Sequence, residues 1–324
     1  MEYRNLGRTG LKVSALCLGT MTMGWTSSKE DSFAVLDAFV QAGGNFIDTA
    51  DVYSFWAEGN PGGVAEAWIG EWLAGSGLPR HQLVIATKVR GRMWDGPNGE
   101  GLSRVHIVKA VEDSLRRLQT DYIDLYLTHW PDEDTPLDET VRALDHLVRQ
   151  GKVRYLGASN HPAWLLMKAL WISDRLGLTS YHCLQPHYNL VHRAEFEQEL
   201  MAVCQDQGLG VTPYSSLAGG FLTGKYGRDR PLPEKARGAS SRDYQGLMTD
   251  HNFILIEKME EIGRAHKATV AQVAIAWMLN QPAVTAPIIG ANMPAQLTET
   301  LGGLEMQLTD DEAYALSQLS EWRE

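Results

Sequence analysis

Four residues of complementary chemistry, Asp48, Tyr53, Lys88 and His129, fall at or just after the ends of three successive short runs of aliphatic and β-branched residues. A lysine inside a strand is costly unless it is paired. Asp48 on the neighbouring run is placed to neutralise it while leaving a positive field beside the phenol of Tyr53. Such a field favours phenolate, so the Tyr53 pKa is expected to fall from about 10 toward neutrality, which suits a general acid or base. His129 is then the group that hydrogen-bonds a substrate oxygen near that phenol. Each residue alone has an ordinary structural reading, as an ion pair at a strand end, a loop aromatic or a buried histidine. The four together on three successive runs point to catalysis.

The elements that must position them recur along the chain. Eight runs read as strands: Ala15 to Gly19, Asn45 to Thr49, Leu83 to Lys88, Ile123 to His129, Val153 to Ser159, Cys183 to Gln185, Gly210 to Tyr214 and Ala286 to Gly290. Between most of them lies a segment of helical periodicity, the pattern of a parallel sheet covered by helices. Lys29 to Gln41 places its apolar residues largely on one face and stops at Ala42-Gly43-Gly44. Ser103 is a candidate N-cap for a helix running to Leu118. Further stripes run from Asp138 to Gln150 and from Ala163 to Leu176. Gly7 and Gly10 between short extended stretches predict a hairpin over Tyr3 to Ser14, placed to plug one end of a barrel. The last inter-strand interval, about 76 residues, breaks the rhythm; Gly219 to Gly246 is rich in Gly, Pro, Arg and Lys before helical patterns resume at Ile254 and Val270.

These features predict a (β/α)8 TIM barrel with an N-terminal β-hairpin and a C-terminal helical extension, Asp310 to Trp322, as a single domain over residues 1–324. In such a barrel the site sits where the C-terminal strand ends meet. Those ends carry Asp48 and Tyr53, Lys88, His129, Ser159 and Asn160, Gln185, Tyr214 and Ser215, and Gly290 to Asn292.

Composition excludes several other classes. Hydrophobic residues are 44% and charged ones 21%, which is globular rather than disordered. The 29 Lys+Arg against 40 Asp+Glu give a net charge of −11, which opposes nucleic-acid binding. The mostly apolar segment Val270 to Leu279 is about half a membrane span, so no membrane partner is expected. Cys17, Cys183 and Cys204 are odd in number and lack a Cys-x-x-Cys pairing, which fits a reducing, cytoplasmic location.

Across essentially its whole length the sequence resembles the aldo-keto reductases. The matching motifs are Arg4-Asn-Leu-Gly-Arg-Thr-Gly-Leu-Lys-Val-Ser14, Leu18-Gly-Thr-Met21, Asn45-Phe-Ile-Asp-Thr-Ala-Asp-Val-Tyr53, Ala86-Thr-Lys88, Leu125-Tyr-Leu-Thr-His129, Gly157-Ala-Ser-Asn160, Gln185-Pro-His-Tyr-Asn189, Tyr214-Ser-Ser-Leu217, Gly224-Lys-Tyr226 and Ile288-Ile-Gly-Ala-Asn292. The resemblance implies that Asp48, Tyr53, Lys88 and His129 are the catalytic tetrad, with Tyr53 the proton donor in reduction of a small-molecule aldehyde or ketone. It also implies NADPH, in preference to NADH, lying across the barrel top without a Rossmann fold. Gly19, Thr20 and Met21 would border that cofactor. Ser159, Asn160 and Gln185 would hold the carboxamide, and Tyr214 would stack on the nicotinamide. Ser215, Leu217 and Gly219 would line the pyrophosphate path, Lys225 and Arg237 would meet phosphate, and Gly290, Asn292, Gln296 and Glu299 would hold the adenosine end. Thr300 departs from the family pattern, which has an asparagine there.

Trp25, Phe55, Trp56, Trp94 and Trp130 lie in or beside the loops around the tetrad and are candidates for an apolar substrate pocket. His182, His187 and His192 are spaced by five, a spacing that neither a regular helix nor a strand converges on one ion, so no metal is expected. Two other roles fit the same sequence: a cofactor-binding regulatory subunit resembling the β subunits of voltage-gated potassium channels, and a pathway-specific reductase of a sugar or polyketide. Oligomeric state is not encoded in any of these signals.

Overall fold

The computed structural model describes residues 1–228 and 245–322. β1 (Tyr3–Asn5) and β2 (Lys12–Ser14) form an antiparallel hairpin. Eight parallel strands follow, in the order β10, β3, β4, β5, β6, β7, β8, β9. They are β3 (Cys17–Gly19), β4 (Phe46–Asp48), β5 (Val84–Val89), β6 (Ile123–Thr128), β7 (Val153–Ser159), β8 (Tyr181–Gln185), β9 (Gly210–Val211) and β10 (Ile288–Gly290). The Thr285 N–H donates to the Val211 carbonyl at 2.8 Å and the Ile288 N–H to the Pro213 carbonyl at 2.8 Å, which brings the last strand back against the seventh and closes the barrel.

The covering helices have local causes. α1 (Lys29–Gln41) starts where the Ser28 side chain accepts from the Asp31 N–H. α2 (Val64–Ser76), which periodicity alone did not reveal, lies between two left-handed glycines, Gly63 and Gly77. α3 (Arg104–Leu118) is capped by Ser103 as expected. α4 (Leu137–Arg149) and α5 (Ala163–Leu176) follow, and a π-helical turn, Phe196–Leu200, runs into α6 (Met201–Gln207). The long interval before β10 holds α7 (Asp250–His266) and α8 (Val270–Leu279), so its second half is helical. α9 (Pro294–Leu301) succeeds β10, and the C-terminal helix α10 (Asp310–Leu319) stops three residues short of the expected Trp322. Thr309 and Glu312 cap α10 reciprocally.

The period of two along each strand decides what faces inward. Phe46, Val84, Ala86, Leu125, Leu127, Cys183, Ala286 and Ile288 pack together in the barrel interior, with Leu6 and Val13 of the hairpin sealing its floor. Gly7 takes φ +56° there, and a Cβ would stand 2.4 Å from the Gly210 nitrogen. Two residues further along the same inward-facing series come Asp48 after Phe46, Lys88 after Ala86, His129 after Leu127 and Gln185 after Cys183. The layer above the apolar fill is therefore polar.

Candidate active site

Lys88 is fully enclosed. Its Nζ donates to both Asp48 oxygens at 2.8 and 2.6 Å, to the Thr49 carbonyl at 2.8 Å and to the Tyr53 hydroxyl at 2.8 Å. The register explains the meeting. Asp48 pairs with Ala86, so Lys88 is one inward-facing step above it on the adjacent strand. Tyr53 arrives on the loop after β4, and its hydroxyl also reaches Asp48 Oδ2 at 3.3 Å.

The expected fall in the Tyr53 pKa is reversed. Burial raises it well above the usual phenol value, and the Asp48 carboxylate raises it further. That carboxylate lies against the Lys88 ammonium and neutralises the field that was expected to lower it. The phenol is accordingly held in its protonated form, which is the form a proton donor requires. His129 forms an edge contact with Tyr53 at a centroid distance of 5.8 Å. Burial, then the positive charges of Lys88 and Arg90, lower its pKa, so it stands as a neutral imidazole whose buried Nδ1 has no partner among the described residues.

Beside this centre runs a chain of hydrogen bonds. Gln185 Nε2 donates to Asp48 Oδ1 at 2.8 Å, Ser159 Oγ to the Gln185 carbonyl at 2.8 Å, Asn160 Nδ2 to the His129 carbonyl at 2.9 Å, and the Tyr214 hydroxyl to Asn160 Oδ1 at 2.8 Å. On the other side, Thr20 Oγ1 donates to the Asp48 carbonyl at 2.9 Å, with Gly19 and Met21 flanking it. Asn292 ties the loops after β3 and β10 together: its Oδ1 accepts from Thr26 and Ser27, and its N–H donates to Gln296 Oε1 at 2.8 Å. Gly290 and Glu299 are exposed on the same flank. Thr300 is buried, and its hydroxyl turns back on the Gln296 carbonyl at 3.0 Å.

A cradle for an extended ligand has a physical signature here. Among the described residues seven non-glycine positions have positive φ; Gln119 and Lys267 are helix C-caps, and the other five, Ser54, Arg90, Asn160, Ser215 and Ala218, all follow barrel strands at the C-terminal end. Backbone strain of that kind collects where function imposes geometry. Gly219 and Gly220 continue the left-handed conformations of Ser215 and Ala218, and a Cβ on Gly220 would stand 2.7 Å from Lys225 Nζ. Main chain and ammonium are thus close enough to share an anionic group, and the residues present fit a dinucleotide. Arg237 lies outside the described residues.

Of the aromatic candidates, one touches the tetrad and three contact one another. Trp130 stacks on His129 at 3.7 Å, Trp25 and Trp56 meet edge to face at 5.5 Å, and Phe55 meets Trp56 at 5.4 Å; each of the four is partly open to solvent. Trp94 stacks on His106 at 4.7 Å under the Lys109 ammonium, so its ring belongs to a separate packing group.

Sequence reasoning missed a buried layer behind the tetrad. Glu66 on α2 accepts from Arg117 on α3 at 2.7 Å and from the Thr87 hydroxyl. Asp51 is fully buried, neither carboxylate oxygen has a partner among the described residues, and burial followed by the Glu66 charge raises its pKa well above the carboxylate range. Thr87 directly precedes Lys88 and Asp51 lies between Asp48 and Tyr53, so the motifs themselves contain both. Glu66 and Arg117 lie on separate helices, and no local spacing announces their pairing.

The model of the Aldo/keto reductase family matches residues 15–321. "Uncharacterized oxidoreductase YrpG" of Bacillus subtilis (strain 168) is 39% identical over 312 residues, covering 95% of this chain and 92% of that protein. "Probable voltage-gated potassium channel subunit beta" of Oryza sativa subsp. japonica is 36% identical, covering 94% of this chain and 92% of its own. "Norsolorinic acid reductase stcV" of Emericella nidulans is 35% identical, covering 95% of this chain and 78% of its own.

Proposed function

The chain belongs to the aldo/keto reductase family, and from that premise we propose that it reduces an aldehyde or ketone to the alcohol with NADPH, Tyr53 acting as the general acid. One observation carries the reading: an enclosed Lys88 bridges Asp48 and the Tyr53 hydroxyl while a neutral His129 faces the same phenol. A bound nicotinamide would supply the hydride. Ser159, Asn160, Gln185 and Tyr214 would hold its ring end, Gly19, Thr20 and Met21 would border it, and Ser215, Leu217, Gly219 and Lys225 would meet its phosphates. Gly290, Asn292, Gln296 and Glu299 would receive the adenosine.

The protein's own groups handle the proton. His129, uncharged, donates a hydrogen bond to the carbonyl oxygen and orients it toward the phenol. Tyr53 gives its proton to that oxygen as negative charge develops, and the Lys88 ammonium 2.8 Å away stabilises the phenolate left behind. Lys88 therefore acts on the ionised product of the step rather than on the resting phenol. Trp130, stacked on His129, borders these groups, and Trp25, Phe55 and Trp56 would extend the apolar rim over a bound substrate.

The test follows cofactor absorbance with NADPH and a panel of aromatic aldehydes, ketosugars and dicarbonyls, for the parent and Tyr53→Phe. Equal turnover by the two proteins sinks the assignment of the acid. The potassium-channel relatives supply the competing reading of a cofactor-binding regulatory subunit. Tight NADPH binding with no turnover on any panel member would favour it. Lys225→Ala is expected to weaken NADPH more than NADH.

A further inference from the structure

Outside the tetrad, the sequence left three histidines unexplained, and the structure separates them. His182 on β8 takes the Leu156 N–H at its Nδ1, 3.3 Å away, and stands edge-on to Tyr155. His187 and His192 come together. A tight turn makes two backbone hydrogen bonds between Asn189 and His192, at 3.2 and 3.1 Å, and folds the chain so that the two imidazoles lie 3.7 Å apart. The pairing escapes a rule based on regular helices and strands because a turn brings it about.

Glu195, one turn beyond, completes the group. We propose that His187, His192 and Glu195 bind a divalent transition-metal ion of the zinc class. Each of the three offers a donor atom, and these atoms all lie within 4.8 Å of one another. Ligands of a tetrahedral zinc ion stand about 3.3 Å apart, as bond lengths of about 2.0 to 2.1 Å dictate, so the more distant donors close by up to about 1.5 Å on binding. His192 supplies that movement: it is part-exposed, and rotating its ring out of the stack turns a nitrogen toward the shared point. His192 Nε2 already lies 3.0 Å from Glu195 Oε2; the ion replaces the proton between them, and that proton passes to Nδ1 or to solvent.

Chemistry selects the ion. Two imidazoles and one carboxylate suit zinc, cobalt or nickel rather than magnesium or calcium, which prefer all-oxygen cages. Arg193, the nearest cation in sequence, is held away by Glu197 at 2.7 and 2.9 Å. The far face of His187 stacks on Tyr214 at 5.1 Å, so the ion would fasten the segment behind that ring.

The experiment uses the full chain after chelator treatment, titrated with Zn2+ by calorimetry and with Co2+ by its ligand-field absorption. One equivalent should bind, and His192→Ala and Glu195→Gln should each weaken binding tenfold or more, with circular dichroism and melting unchanged. Absence of a stoichiometric step, or parent-like binding by both variants, would overturn the proposal. Because binding is read directly, either result leaves the reductase reading to be decided by Tyr53→Phe.

Discussion

Lys88 donates to a carboxylate, a phenol and a carbonyl within a fully enclosed space, so its loss leaves Asp48 buried without its cation. Breaking such a pair costs about 3–5 kcal/mol, and Lys88→Met should lower the urea midpoint accordingly, with Asp48→Asn in the same chain recovering part of the loss. Tyr53→Phe removes one hydroxyl and should reduce turnover by about 10²- to 10⁴-fold while leaving cofactor affinity nearly unchanged, as fluorescence titration would report. The raised Tyr53 pKa fixes the sign of a pH effect. An acid must be protonated, so kcat/KM should hold through neutrality and fall only as pH rises through a value above the ordinary phenol figure of about 10. A falling limb near neutrality would contradict the direction. For Asp51, a folded pKa above the unfolded value of about 3.9 means its favourable contribution is complete below that value and is lost as pH rises toward the folded pKa. Asp51→Asn should flatten that decline when unfolding is compared at several pH values between about 4 and 7.

Helices α2 and α3 meet at a glycine, and the contact explains how two separated elements deliver Glu66 to Arg117. A Cβ on Gly70 would stand 2.2 Å from the Arg117 carbonyl, so the helices approach too closely for any side chain there. Gly70→Ala should destabilise the fold by about 1–3 kcal/mol through overpacking, seen as a lower melting temperature, despite alanine's better helix propensity. A neutral or stabilising result would show that α2 and α3 can separate without cost.

At the scale of the molecule, the barrel has a sealed floor and a working rim. Leu6, fully buried in the hairpin, packs with Val13 and the interior strand residues far from the tetrad layer. Leu6→Ala should cost about 2–5 kcal/mol in denaturant unfolding yet leave kcat and KM near those of the parent at temperatures where the variant is folded. A matching loss of activity would mean that the floor and the rim are mechanically coupled. No helix among the described residues is long and apolar enough to cross a membrane.

The sequence by itself determined the strands, most helices, the hairpin and the four-residue group that includes Lys88, because strand alternation, Ser103 at its cap and the motif from Asp48 to Tyr53 are local signals carried by neighbours in the chain. Local signals also set the limits of α1, α3 and α5 to the residue or nearly so, whereas α2 between its two glycines has too weak an apolar stripe to stand out in the sequence. Tertiary structure decided the rest. The direction of the Tyr53 pKa depends on burial and on which charge ends closest, and both are sums over residues far apart in sequence. The same holds for the unpartnered Asp51, for Trp94 packing on His106 instead of joining the rim, and for His187 meeting His192 across a turn. Spacing specifies where a side chain starts, but its charge state and partners are set by everything the fold brings against it.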